Sequence, residues 1–374
     1  MKNIESNFNE SRKYKPNPKF VELATITEEI LAGLHKNFEN NPDLFWSELA
    51  SKEINWIERF KTVCDGKAPE FEWFKEGKLN VSENCLDRHI NNSNNAIIHI
   101  SEDNQKKIIS YKELYKKVNN FSYALKSIGI KRGSRVIIYM PTIPESIIAM
   151  LSCARLGLIH SVVFAGFSSE SLKNRINDCG AELILTVDSF IRNGKKIMSK
   201  DTVDNAMNQG CPSVNKIIVL KNSDEKISFN LETDLWWHEI LPKSDQIVAS
   251  EVMSAEDILF ILYTSGSTGK PKGIIHTTAG YLLNCILSNK WVFDLNKDDI
   301  FWCTADIGWI TGHSYVVYGP LATGSTILIY DGAPTYPIVD RFWEIISQNK
   351  VTIFYTAPTA LRTLMKIGEN KPDN

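Results

Sequence analysis

The sequence has no closely spaced cysteine pair. Its seven cysteines stand at positions 64, 85, 153, 179, 211, 285 and 303, without a C-x-x-C. That spacing excludes a disulfide framework, argues against a cysteine metal cluster, and suits the reduced thiols of a cytosolic protein. An excess of charge of one sign is also missing, because 42 Lys and Arg stand against 44 Asp and Glu for a net charge of -2. No global basic field therefore points to a nucleic-acid partner. A clean hydrophobic run is lacking too. The stretch "IIAMLSCARLGLIHSVVFAGF", Ile147 to Phe167, is long enough for a bilayer but holds Arg155, Gly157 and His160 in its middle, so it reads as helix, turn and strand. The polar, Asn-rich start has no apolar core for a secretory signal, and residues 1–21 read as a flexible lead-in. No short internal repeat is visible.

What is present suits a soluble α/β protein. Hydrophobic residues make up 43% and charged residues 23% of 374, enough for two or three compact units or one large domain with an extension. From Ile26 to His89 aromatics crowd at helical spacing, and Pro42 or Asp43 is placed to begin a helix. The polar cluster "INNSNNA", Ile90 to Ala96, then marks the main boundary. Beyond it, strand and helix patterns alternate. "SRVIIYMP", "IHSVVFA" and "AELILTV" read as strands separated by helices over Glu145–Gly157 and over "SSESLKNRINDCG", the latter with Ser168 as N-cap and Gly180 as terminator. "ILFIL", "IFWCTA", "STILIY" and "VTIFYTA" continue the pattern, with helices expected over Tyr281–Lys290, His313–Leu321 and Asp340–Gln348. Strands apolar on both faces and alternating with helices predict parallel βαβ layers. In such sheets ligands bind outside the carboxyl ends of the strands. Five segments follow strands in this way: Phe164–Phe167, Asp188–Lys195, Thr264–Gly273, Asp306–His313 and Gly332–Pro337.

The third of these contains the densest chemistry. In "YTSGSTGKPKG", Tyr263 to Gly273, three glycines let backbone amides approach an anion, Thr264, Ser265, Ser267 and Thr268 add hydroxyls, and Lys270 and Lys272 add charge. A polyphosphate is the group this suits. The loop is no Walker A motif, since only Ser267 and Thr268 separate Gly266 from Gly269 and Pro271 follows Lys270.

As a string, "YTSGSTGKPKG" resembles the phosphate-binding signature of the acyl-adenylate-forming, or AMP-binding, superfamily. Further stretches narrow the likeness to short-chain acyl-CoA synthetases of the acetyl-CoA synthetase type: "GIIHTTAGYLL", "FWCTADIGWITGHSYVVYGPLATGSTILIYDGAPTYP", "KVTIFYTAPTALRTLM" and, near the start, "FEWFKEGKLNVSENCLDRH". The resemblance runs from about Glu22 to Met365. It implies an α/β fold of layered βαβ parallel sheets over residues 91–374, preceded by a mostly helical module over 22–90. Thr264, Ser265, Gly266, Ser267, Thr268, Gly269, Lys270 and Lys272 would hold the ATP phosphates that leave as pyrophosphate, and Thr264, Ser265, Thr268, Lys270 and Lys272 would assist catalysis.

The same resemblance assigns further residues. Arg192, Asn193, Gly194 and Lys195 of "IRNGKK", with Thr311, Thr335, Phe164 and Gly166, would bind CoA, the two cations meeting its phosphates. Ala165 replaces a glycine of the family pattern, Thr335 stands where some relatives have Asn, and Ile310 where Val is usual. Trp309, Ile310 and Thr311 would wall the acyl pocket, a bulky wall excluding longer chains. His276, His313, Trp291 and Trp302 read as packed residues.

The implied reaction is an acid–thiol ligation in two halves. Acetate would attack the α-phosphorus of Mg²⁺-bound ATP to form acetyl-AMP, and the CoA thiol would then displace AMP. ATP, CoA and Mg²⁺ are the implied co-substrates and cofactor, with small molecules rather than nucleic acid or membrane as partners. Propionate remains an alternative acid, and a non-catalytic nucleotide- or CoA-binding protein an alternative class. The family's adenine-binding, Mg²⁺-supporting and ribose-binding segments and its small C-terminal domain do not occur in the sequence. The chain is therefore expected to be an N-terminal portion of the ligase and inactive by itself.

Overall fold

The computed structural model of the chain describes residues 13–264 and 271–367. Two large sheets organise it. The first has seven strands in the spatial order Asp234–Trp236, Lys216–Leu220, Leu183–Val187, Arg135–Tyr139, Ile159–Val162, Ile258–Thr264, Lys272–Thr277. The second has five, in the order Ile353–Tyr355, Ile300–Cys303, Thr326–Tyr330, Asn95–Ile100, Lys106–Ser110. Neighbours are parallel throughout except at one edge of each sheet, where Lys272–Thr277 runs antiparallel to Ile258–Thr264 and Lys106–Ser110 antiparallel to Asn95–Ile100. The sequence reading expected the parallel layers and missed these two edges. Residues 101–105 and 265–271 are connections too short for the crossover that a parallel neighbour needs, so each chain folds straight back.

Alternation along the strands distributes the core. Val136 and Ile138 of one strand enter a central core, whereas Ile137 and Tyr139 enter a second core with Leu172, Ile176, Val203 and Ala206 of the helices Ser169–Cys179 and Ser199–Asn208. The second sheet does likewise. Ile97 and Ile327 face the central core, and Ile98, Trp302 and Leu328 face Phe342 and Ile345 of the helix Arg341–Asn349. Both sheets thus share one central core, which also contains Leu114 and Phe121 of the helix Tyr111–Ser127, Leu151 of Pro144–Arg155 and Ile286 of Ala279–Trp291. Each buried Leu or Ile contributes about 1.5–3 kcal/mol of transfer free energy.

Local signals read from the sequence act as expected at several ends. The Ser168 hydroxyl accepts from the Ser171 N–H at 3.3 Å, and Gly180 closes that helix at φ +61°. Asn41 caps the helix Pro42–Glu53 by accepting from Leu44 N–H at 3.0 Å. The helical segment expected over His313–Leu321 is composite, with Ile310–Gly312 and Gly319–Thr323 flanking a wide π turn over His313–Tyr318. Gly319 is needed there because a Cβ would stand 2.0 Å from Asn289 Nδ2. The aromatic N-terminal stretch forms the helices Pro18–Leu23, Glu28–Asn40 and Pro42–Glu53, followed by a hairpin of Thr62–Lys67 and Glu70–Lys75.

Buried polar groups tie this first part to the sheets. The Asn80 amide donates to the carbonyls of Ala154, Arg155 and Glu251. Arg155, 2% exposed, donates through both terminal nitrogens to Asp87 at 2.8 and 3.0 Å and through Nε to Val248 O at 2.7 Å. Removing one partner of such a pair leaves a buried charge uncompensated. Asp87→Ala should lower stability by about 3 kcal/mol, read as a fall in the urea unfolding midpoint; a change within experimental error would show that the pair does not hold the two parts together.

Candidate active site

Four of the five strand-following segments converge beside one another. The strand Leu183–Val187 ends at Asp188, whose buried carboxylate accepts from the N–H groups of Ser189, Asn222 and Ser223 and from the Ser223 hydroxyl. This anchors the hairpin Phe190–Arg192 and Lys195–Ile197. Its turn is Asn193-Gly194, with φ +54° and +68°, the left-handed pair that a two-residue hairpin of this hand requires. Arg192 and Lys195 are therefore direct cross-strand partners on one face. Like charges so placed repel unless an anion lies between them. Among the described residues neither forms an ion pair with a carboxylate, whereas their neighbour Lys196 pairs with Glu225. The Arg192 guanidinium lies 5.8 Å from the centre of the Phe164 ring.

The other segments close around this hairpin. Gly308 abuts Phe164, where a Cβ would come 3.0 Å from the Phe164 nitrogen. Gly194 abuts Tyr336, where a Cβ would come 2.8 Å from the hydroxyl. Asp306 accepts from Gly308 N–H at 2.7 Å, and removal from water raises its carboxyl above the usual range. Between these parts lies a cavity of about 180 Å³ lined by Thr142, Arg192, Asp306, Tyr330, Asp331 and Gly332. Across the hairpin is a cleft of about 790 Å³ whose walls include Glu102, Lys106, Gly194, Lys196 and Tyr336.

Trp309 and Ile310, 50% and 43% exposed, start the composite helical segment beside Thr311. They form one open wall. Trp309 meets Phe167 edge-on at 6.4 Å, and Phe167 meets Phe164 edge-on at 5.6 Å. Arg175 is sandwiched between Phe167 at 4.7 Å and Tyr263 at 5.5 Å. Tyr263 donates to Asp178 at 2.7 Å and leads directly into Thr264, which pairs with Lys272 across the antiparallel edge. Thr264 and Lys272 thus face each other at the two ends of the glycine-rich loop. Ser265, Gly266, Ser267, Thr268, Gly269 and Lys270 lie outside the described residues.

A model of the AMP-binding enzyme family matches residues 86–374. The chain belongs to that family. Residues 31–85 of this AMP-binding family member match the acetyl-coenzyme A synthetase N-terminus. Among curated relatives, the acetyl-coenzyme A synthetase of Laribacter hongkongensis is 47% identical over 100% of this chain and 58% of its own length. That of Methylobacillus flagellatus is 49% identical with the same coverage. The chain spans a little over half the length of these relatives. Among solved structures, acetoacetyl-CoA synthetase from Streptomyces lividans superposes with a TM-score of 0.83 at 25% identity, over 90% of this chain and 52% of that one.

Several site-shaping residues escaped the sequence reading. Glu102, in "SEDNQ", looks like a solvated turn charge, and nothing in its spacing links it to the distant hairpin. Asp188 opens the selected segment Asp188–Lys195, but its role as the acceptor that anchors the hairpin has no local signal. Arg175 did leave a signal, since it falls on the apolar face of its helix between Leu172 and Ile176, both fully buried. For Mg²⁺, no cluster of three or more His, Cys, Asp or Glu among the described residues is arranged to hold a metal ion.

Behind the Trp309 wall sits a buried histidine pair. His160 and His313, both 0% exposed, lie with ring centres 5.8 Å apart around Phe260. His160 shares a hydrogen bond of 2.9 Å with the Tyr318 hydroxyl, and His313 Nδ1 lies 3.2 Å from the Trp309 carbonyl, which accepts from it. Burial pulls His313 down to about 4 and His160 well below its ordinary value. Between 6.5 and about 4 the unfolded chain binds a proton at His313 that the folded chain refuses, so stability falls as pH falls through that window. From pH 7 to pH 5, His313→Asn should lose about 2 kcal/mol less stability than the parent. Equal losses in urea titrations at the two pH values would show that His313 is not held neutral.

Proposed function

We propose that the protein is the nucleotide- and acyl-handling part of an acetate–CoA ligase that forms AMP and pyrophosphate. The observation that supports this most strongly is likeness to acetyl-coenzyme A synthetases along the whole chain, 47% and 49% identical in two cases. The site agrees in chemistry. Thr264 and Lys272 flank a loop rich in amide, hydroxyl and amine donors, suited to the diphosphate that leaves when acetate attacks the α-phosphorus. Trp309, Ile310 and Thr311 supply a bulky wall for a short acyl group. Arg192 and Lys195 offer a paired positive site for the CoA phosphates, beside Phe164, Gly166, Asn193, Gly194 and Thr335. Neither half-reaction needs a covalent protein nucleophile, and the work is alignment and charge neutralisation. ATP and CoA are co-substrates, and Mg²⁺, when bound to ATP, offsets phosphate charge. The seven unpaired cysteines favour a reducing compartment such as the cytoplasm.

Exchange of labelled pyrophosphate into ATP tests the first half. The complete gene product should show acetate-dependent exchange, weaker with propionate, and Lys272→Ala should lower it about tenfold to a hundredfold. Exchange that no short carboxylic acid stimulates would instead favour the non-catalytic binding reading.

A further inference from the structure

Glu102 lies in the tight connection between the antiparallel strands Asn95–Ile100 and Lys106–Ser110, far in sequence from every residue assigned above. It is 6% exposed, yet its carboxylate engages backbone donors from two other loops. Oε1 accepts from Asn193 N–H at 2.7 Å and from Ala333 N–H at 2.9 Å, and Oε2 accepts from Gly194 N–H at 2.9 Å. Asn193 and Gly194 are the two turn residues between Arg192 and Lys195, and both have positive φ. Ala333 begins the loop that brings Tyr336 against Gly194 and contains Thr335.

A carboxylate with three N–H donors is a strong acceptor, and leaving buried donors unmet is costly. Among the described residues this one bonds backbone only, and neither Arg192 nor Lys195 is in ion-pair contact with a carboxylate. We propose that Glu102 is a positioning residue for CoA: it clamps the Asn193-Gly194 turn to the Gly332–Pro337 loop and so holds the Arg192 and Lys195 pair in a phosphate-binding geometry. This rests on the reading of that pair as the CoA-phosphate site. Among the described residues the hydrogen bonds of Glu102 go to the Asn193-Gly194 turn and to Ala333, and none goes to the acyl wall, so its effect is expected in the second half-reaction.

The test uses the complete gene product, with pyrophosphate exchange reporting the first half and the KM for CoA reporting the second. Glu102→Gln replaces one acceptor oxygen by an amino group that faces an N–H donor. It should raise the KM for CoA about tenfold while exchange falls less than about twofold. In a background carrying both Arg192→Ala and Lys195→Ala the further rise should vanish, and Glu102→Asp, which keeps the charge with a shorter reach, should lie between parent and Gln. An unchanged KM for CoA would overturn the inference. So would an equal loss of exchange and of CoA use, which would mark Glu102 as a general folding contact. Should Arg192→Ala alone leave the KM for CoA unaltered, the CoA reading of the hairpin itself fails, an outcome separate from a silent Glu102→Gln beside a responsive Arg192→Ala.

Discussion

Parallel strands must be covered on both faces, and this two-sided burial governs the remainder of the molecule. Val136 and Ile138 on one side, Ile137 and Tyr139 on the other, leave a strand no surface for chemistry along its length. Polar function is pushed to where the strands end. Because both sheets press one face into a shared core, the loops after Ile159–Val162, Leu183–Val187, Ile300–Cys303 and Thr326–Tyr330 are brought within contact of one another. Gly308 against Phe164 and Gly194 against Tyr336 show how tightly backbone from different strands is juxtaposed.

Electrostatics then specialise the meeting point. The two cations on the Asn193-Gly194 hairpin stand side by side with no ion-pair partner among the described residues, Arg192 sharing its cavity with Asp306, whereas Arg155 and Lys200, equally cationic, are buried against carboxylates. Arg155 and Lys200 are paired inside the fold, whereas among the described residues Arg192 and Lys195 have no ion-pair partner beside the turn. The aromatic run from Tyr263 through Arg175 and Phe167 to Trp309 connects the glycine-rich loop to the acyl wall by packing.

Much of this could be read from residue order. The strand and helix alternation, the Ser168 cap and the Gly180 terminator rest on local rules, and each works within a few residues. The antiparallel edges did not show in the periodicity, because Lys272–Thr277 is an exposed edge with Ile274 and Ile275 facing outward. The loops after the strands were singled out as a class, and the Asn193-Gly194 pair inside "IRNGKK" is a hairpin signal that puts Arg192 and Lys195 on one face, a consequence the sequence reading did not draw. The register of an Asn-Gly turn decides that. Glu102 was invisible for a plainer reason: a surface-like Glu in a polar turn has no local pattern to set it apart.

Residue order by itself thus determined the α/β class, the family likeness through "YTSGSTGKPKG", and which segments follow strands, since propensity, capping and motif spacing are encoded over short stretches. Tertiary structure alone decided which loops meet, which cations stay unpaired, and which carboxylate stands behind them. Those properties depend on contacts between residues far apart in the chain, and such contacts exist only once the two sheets have closed on their common core.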